Sequence, residues 1–438
     1  MPDTLPATAA PVPADTDAGI YDRLESSVRV YCRKFPVSFV RARDHILWDA
    51  EGRSYIDFFA GAGALNYGHA NAEITRALIA YLESGALTHG LDLHTPAKAA
   101  FLEAFERIIL GPRGLDYRVQ FTGPTGSNAV EAALKIARKR TGRPGIVAFT
   151  NGFHGMSLGA LAATGNGAKR GGAGVALQGV ARMPFDGYLG PDGDTILWLE
   201  RMLADPASGL DRPAAFLIET VQGEGGINVA GTAWLQRLQA LARREDILLI
   251  VDDVQAGCGR TGRFFSFEEA GLVPDLICLS KSIGGGQPMA LVLIRPDLDR
   301  QAPGEHTGTF RGNNLAFVAG RVALEFWARN SFLDRLDDNC SRVAEAMRTL
   351  CAHYNDAGIS SRGRGMLHGL VMPTGEIATR VQRAAFADGL MIETCGPTGE
   401  VVKIMPPLTI AEDGLRRGLA ILDRAVSGAL DRSPAGLA

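Results

Sequence analysis

The chain has 438 residues, 46% of them hydrophobic and 21% charged, with a formal net charge of −3. That size and balance suit one large α/β domain with an appendage, or two to three domains, and exclude a fibrous or disordered chain. The small net charge argues against nucleic acid or an anionic membrane as partner, and no apolar stretch approaches the ~18 residues of a membrane span.

In chain order, residues 1–18, MPDTLPATAAPVPADTDA, are rich in Ala, Pro, Thr and Asp. Lacking a basic start and an apolar segment, they are expected to form a disordered tail and not a secretion signal. A short helix and a hairpin are predicted next, because SFVRARDHILWDAEGRSYIDFF alternates apolar and polar residues about a turn at Ala50–Gly52. Continuous apolar runs then mark strands buried on both faces of a mostly parallel sheet. They are Tyr117–Phe121, Gly145–Phe149, Ala214–Glu219, Ile247–Asp252, Leu276–Ser280 and Met289–Ile294. Helical patterns lie between several of them, such as Trp234–Glu245, and long helices are predicted at Leu315–Arg329 and Leu333–Tyr354. The expected architecture is a large doubly wound α/β domain over 65–325, with a smaller α+β domain built from 19–64 and 326–438. Six cysteines without paired spacing are expected to be reduced thiols of a cytoplasmic chain.

Three stretches carry chemistry. In FTGPTGSNAVEAALKIARKR (121–140) a strand meets a glycine turn and then a helix, with Ser127 or Asn128 as cap and Glu131 and Lys135 as an i, i+4 pair. Such a helix start holds a phosphate through its N–H groups and dipole, or is a capped turn with no ligand. In ILLIVDDVQAGCGRTG (247–262) Asp252 ends an apolar strand. A carboxylate buried there needs a partner, either a metal or a protonated heterocyclic nitrogen. No His or second acidic pair follows at metal-ligand spacing.

The third stretch is PDLICLSKSIGGGQP (274–288), where Lys281 follows a buried strand and precedes a triple glycine. The chain has seven lysines against thirty-eight arginines, so arginine is its default surface cation. Lysine can lose its proton when desolvated and become an amine nucleophile. Lys281 is therefore either a Schiff-base lysine or a snorkelling surface residue. Together, a phosphate cradle, a strand-end carboxylate and a strand-end lysine describe pyridoxal 5′-phosphate, bound where open α/β sheets place ligands.

Residues 25–425 resemble the class III aminotransferases of pyridoxal phosphate fold type I. The segments TGPTGSNAVEAALKIAR, NGFHGMSLGAL, IETVQGEGG, VDDVQAGCGRTG, SKSIGGGQP and HTGTFRGNNLA stand in that family's order. The resemblance implies a mostly parallel seven-stranded sheet flanked by helices, and a dimer or dimer of dimers with active sites at the interface. It makes Lys281 the Schiff-base lysine, Asp252 the partner of the pyridinium nitrogen and Gln255 the partner of the phenolic oxygen. Gly126 and Ser127 match the phosphate turn, and Phe153, with His154 beside it, matches the aromatic over one ring face. Glu219 and Glu224 match two acidic residues lining the site. Thr309 matches a residue that reaches the neighbouring subunit's phosphate.

Departures from the wider family bear on substrate. Met156 stands where enzymes acting on ornithine or 4-aminobutyrate generally carry arginine. Lys403 occupies the place of the ornithine enzymes' carboxylate-binding arginine, and Asp252-Asp253 replaces the usual Asp-Glu pair. With FFAGAGALNYGH (58–69) and RGNN (311–314), these variants resemble the subgroup acting on 2,4-diaminobutyrate. The resemblance implies transfer of an amino group from glutamate to aspartate 4-semialdehyde, small-molecule substrates throughout, and Glu224 and Lys403 as substrate-binding residues. Another ω-aminotransferase, an aminomutase and a non-catalytic cofactor-binding protein are the alternatives.

Overall fold

A computed structural model describes residues 19–431; the tail expected over 1–18 lies outside them. Near the N-terminus, β1 (Phe39–Arg43), β2 (Ile46–Asp49) and β3 (Ser54–Asp57) form an antiparallel meander. The predicted single hairpin is thus two. Besides the turn at Ala50–Gly52, the chain reverses at Asp44–His45, where Arg43 pairs with Ile46. Asp44 has φ of 51°, a left-handed conformation that aspartate tolerates better than most side chains, so the turn forms without glycine.

The central part contributes β4 (Arg118–Phe121), β5 (Ile146–Phe149), β6 (Val180–Met183) and β7 (Ala215–Ile218). A short ribbon follows, β8 (Val221–Gln222) against β9 (Asn228–Val229). Then come β10 (Leu248–Asp252), β11 (Leu276–Leu279) and β12 (Leu291–Ile294). Seven of these make one sheet in the order β4-β12-β11-β10-β7-β5-β6. Only the pairings of β12 with β11 and with β4 are antiparallel. β5, β7, β10, β11 and β12 are buried along their whole length, as covered sheet faces require.

The helix Gly126–Thr141 follows β4, and two local expectations about it are corrected. Its cap is Thr125, whose side chain accepts from the Asn128 N–H at 3.2 Å, and not Ser127 or Asn128. Glu131 and Lys135 do not pair: Glu131 accepts from Ser157 Oγ and the Ala160 N–H, and Lys135 donates to the Glu305 carbonyl. Tertiary partners with fixed positions outcompete a solvated i, i+4 pair, which contributes only a few tenths of a kcal/mol.

After helices Asn314–Glu325 and Asn330–His353 come β13 (Ser360–Arg364), β14 (Leu367–Val371), β15 (Leu390–Met391), β16 (Glu393–Cys395) and β17 (Val401–Ile404). β15 joins β3 in parallel, and the other four form a sheet in the order β13-β14-β17-β16. Arg260 ties these regions together. Fully buried, it donates to the carbonyls of Met366 and Pro406 and to Asn66 Oδ1.

Candidate active site

The turn after β4 and the residues following β7, β10 and β11 converge on a cavity of about 170 Å³. Gly126, Ser127, Phe153, His154, Glu219, Glu224, Asp252, Gln255 and Lys281 line it, as do Gly155, Met156 and Val254. Lys403 reaches it through Glu224. Thr309 does not; it is exposed in the segment before helix Asn314–Glu325.

At the helix start, Asn128 and Ala129 donate to the Thr125 carbonyl, whereas the N–H groups of Gly126 and Ser127 have no acceptor among the described residues. These are the free donors an anion would use. A Cβ at Gly126 would stand 2.8 Å from the Val254 side chain, which would have to shift to admit it. Ser127 Oγ accepts from the Met156 N–H at 3.1 Å, joining the turn to the segment after β5.

Asp252 is the last residue of β10 and is 4% exposed. Its Oδ2 lies 2.8 Å from His154 Nδ1, and its Oδ1 accepts from the Val254 N–H at 3.2 Å. The sequence placed His154 beside Phe153 without indicating this partner. Glu219, just beyond β7, accepts from the Phe153 N–H at 2.8 Å. Burial, and then the charge of Asp252, hold its carboxyl well above the usual range.

Lys281 follows β11 with φ of 51°, a strained backbone for lysine, and opens a 3₁₀ turn that carries its side chain toward the cavity. Its Nζ donates to the Ala62 carbonyl at 2.8 Å. Burial brings the amine down to about 8, while Glu224 works the other way and Lys403 adds to the fall. Gln255 Nε2 donates at 3.2 Å to that same carbonyl and at 3.2 Å to Glu224 Oε1. Gln255 Oε1 is buried without a partner.

Glu224 Oε1 in turn accepts from Lys403 Nζ at 2.7 Å. Burial would raise the Glu224 carboxyl, but Lys403 and then Lys281 outweigh it and take it to about 2. Lys403 is fully buried, which alone would lower its pKa; Glu224 and Glu393 instead hold it well above the usual lysine range. Glu393, 2.7 Å from Lys403 Nζ, was not singled out from the sequence. Its only signal was a lone carboxylate inside the apolar run GLMIETC.

These features fit pyridoxal phosphate without reference to any relative. An unpartnered carboxamide oxygen, two free N–H donors at a helix start, a buried carboxylate and a low-pKa amine surround one cavity. They define a pyridoxal phosphate enzyme of fold type I. The profile described as aminotransferase class-III matches residues 28–426. A protein of Nocardia farcinica named diaminobutyrate--2-oxoglutarate transaminase is 55% identical over 412 residues, covering 94% of each chain. One of the same name from Vibrio cholerae is 55% identical, covering 93% of this chain and 99% of its own. Among solved structures, an ornithine aminotransferase of Toxoplasma gondii superposes with a TM-score of 0.82 at 26% identity, covering 95% of both chains. A transaminase from the marine bacterium Virgibacillus shares the fold, with a TM-score of 0.83 at 19% identity over 94% of this chain and 99% of its own. The chain belongs to the class III aminotransferases and uses pyridoxal phosphate. Among the described residues no helix is long and apolar enough to cross a membrane, and no side-chain cluster could hold a metal ion.

Proposed function

We propose that the enzyme transfers an amino group reversibly from L-glutamate to L-aspartate 4-semialdehyde, giving L-2,4-diaminobutyrate and 2-oxoglutarate. The observation that carries this reading is the pairing of buried Lys403 with Glu224 at a cavity that Met156, standing where an arginine is usual, also lines. Relatives named for diaminobutyrate and 2-oxoglutarate, 50–55% identical, support it.

When bound, pyridoxal phosphate supplies an electron sink that acidifies the C–H beside the substrate nitrogen. Gly126 and Ser127 would hold its phosphate, Gln255 its phenolic oxygen and Phe153 one ring face. Asp252, oriented by His154, is the anion that would keep a proton on the ring nitrogen. Lys281 would hold the aldehyde, and its amine, when free, would move the proton at the substrate carbon.

Glutamate reacts at its α-carbon and diaminobutyrate at its terminal amine, so their carboxylates stand at different distances from the chemistry. Glu224 answers by pairing with Lys403 for one substrate and releasing it for the other. A panel offering diaminobutyrate and ornithine side by side, each with 2-oxoglutarate as acceptor, tests the assignment. Preference for ornithine would favour a different ω-aminotransferase, as the name of the Toxoplasma neighbour suggests.

We also place a second copy of the chain against this one, with Thr309 of each reaching the other's phosphate site. Exposed Leu87, Leu91, Leu93 and Phe310 support this, with Phe310 edge-on to His89 at 5.3 Å. The cysteines form no disulfide, which fits the reducing cytoplasm proposed as its compartment.

A further inference from the structure

The ion pair at Lys403 has a third member. β16 and β17 are antiparallel, and their register sets Glu393 directly opposite Lys403. Lys403 Nζ lies 2.7 Å from Glu393 Oε1 and 2.7 Å from Glu224 Oε1, and only the second contact has hydrogen-bond alignment. The two carboxylates differ in freedom. Glu393's side chain is 3% exposed and held within a strand, whereas Glu224's is 27% exposed and stands in the connection between β8 and β9. Glu224 is the partner able to leave.

We propose that Glu393 is a positioning residue that keeps the Lys403 ammonium charged and in place while Glu224 releases it to a substrate carboxylate. The proposal deepens the glutamate half-reaction above and rests on it. A buried lysine stripped of its anion sheds its proton, whereas an arginine stays charged. A lysine that must exchange partners therefore needs a counter-ion that never leaves. Charge is conserved in the exchange, because the substrate carboxylate takes the place of Glu224's beside the same Lys403–Glu393 pair. The other ionisable groups acting on Lys403 are Cys395 of β16, Lys281 and, from the N-terminal segment, Tyr31. β14 presents Gly369 opposite it, with nothing to titrate.

The test titrates holoenzyme with glutarate, a dicarboxylate without an amine, by calorimetry between about pH 7 and pH 9.5, spanning the onset of lysine deprotonation. Glutamate-driven loss of the visible band is followed in parallel. Relative to wild type, E393Q should lose glutarate affinity by up to ~10-fold per pH unit at the alkaline end. E393D, which keeps the charge, should restore the wild-type profile, and E393Q/K403R, whose cation keeps its proton, should lose the extra alkaline fall whatever its absolute affinity. A profile for E393Q that parallels wild type overturns the proposal, as does an alkaline loss that K403R fails to repair. If E393Q does not fold, the comparison is between K403R and E393Q/K403R, whose pH slopes the proposal requires to be equal; a steeper alkaline loss in the double variant overturns it. A wild-type band indifferent to glutamate would overturn the glutamate reading instead, with the glutarate profiles still deciding the role of Glu393.

Discussion

Lys281 and Lys403 are joined by one hydrogen-bonded path. Lys281 Nζ and Gln255 Nε2 share the Ala62 carbonyl, and Gln255 and Lys403 share Glu224 Oε1. Yet the two amines shift in opposite directions. Lys281 donates to a neutral carbonyl, so burial wins and its pKa falls to about 8. Lys403 touches two carboxylates, which more than cancel a deeper burial. The contrast shows that depth alone does not decide whether a lysine is a nucleophile or a fixed cation. The atom touching its nitrogen does.

Removing the nucleophile should be the most damaging change. Lys281→Ala should abolish the visible band of the lysine-held cofactor and lower kcat by at least ~10⁴-fold, since anchoring and proton transfer vanish together. Normal turnover in that variant would end the assignment. Asp252→Ala removes the anion and leaves His154 without its acceptor, so kcat should fall by roughly 10²–10³-fold in steady-state assays.

Changes at the Lys403 end should separate the substrates. Glu224→Ala leaves Lys403 permanently open, and single-turnover rates with glutamate and with diaminobutyrate should differ in their losses by ~10-fold or more. Equal losses would remove the switch. The two ends are also coupled through the field. Covalent capture of pyridoxal phosphate by apoenzyme requires neutral Lys281, so it should rise as pH passes through about 8. Lys403→Met deletes a positive neighbour that depresses Lys281 and leaves two carboxylates that raise it. The midpoint of the capture profile should then move up by about one pH unit, and an unmoved midpoint would show the lysines to be independent. The smallest effect is expected at Glu219→Gln. Burial and Asp252 already disfavour the charged form of that carboxyl, and the amide oxygen still accepts from Phe153, so kcat should stay within ~3-fold of wild type.

The strands buried on both faces were legible because sandwiched strands must be continuously apolar. A lysine and an aspartate at their ends were conspicuous for the same reason. β6 escaped notice because Val180–Met183 is an edge strand, only partly buried, with no apolar run to announce it. The Asp44 turn, tied to His69, and the separation of Glu131 from Lys135 depend on neighbours distant in the chain. Glu393 belongs to this second class. Only the register of β16 against β17 turns an inconspicuous acid into the counter-ion of Lys403.

Arg260 bears on how the polypeptide reaches its final form. Its guanidinium finds acceptors at residue 66 and at residues 366 and 406, which with the charge of Asp57 offset a burial that lowers its pKa. A nascent chain still lacking Met366 and Pro406 would have to bury those donors unsatisfied. Burial of this guanidinium therefore draws on residues 66, 366 and 406 together, so a fragment ending before residue 366 should leave it in water.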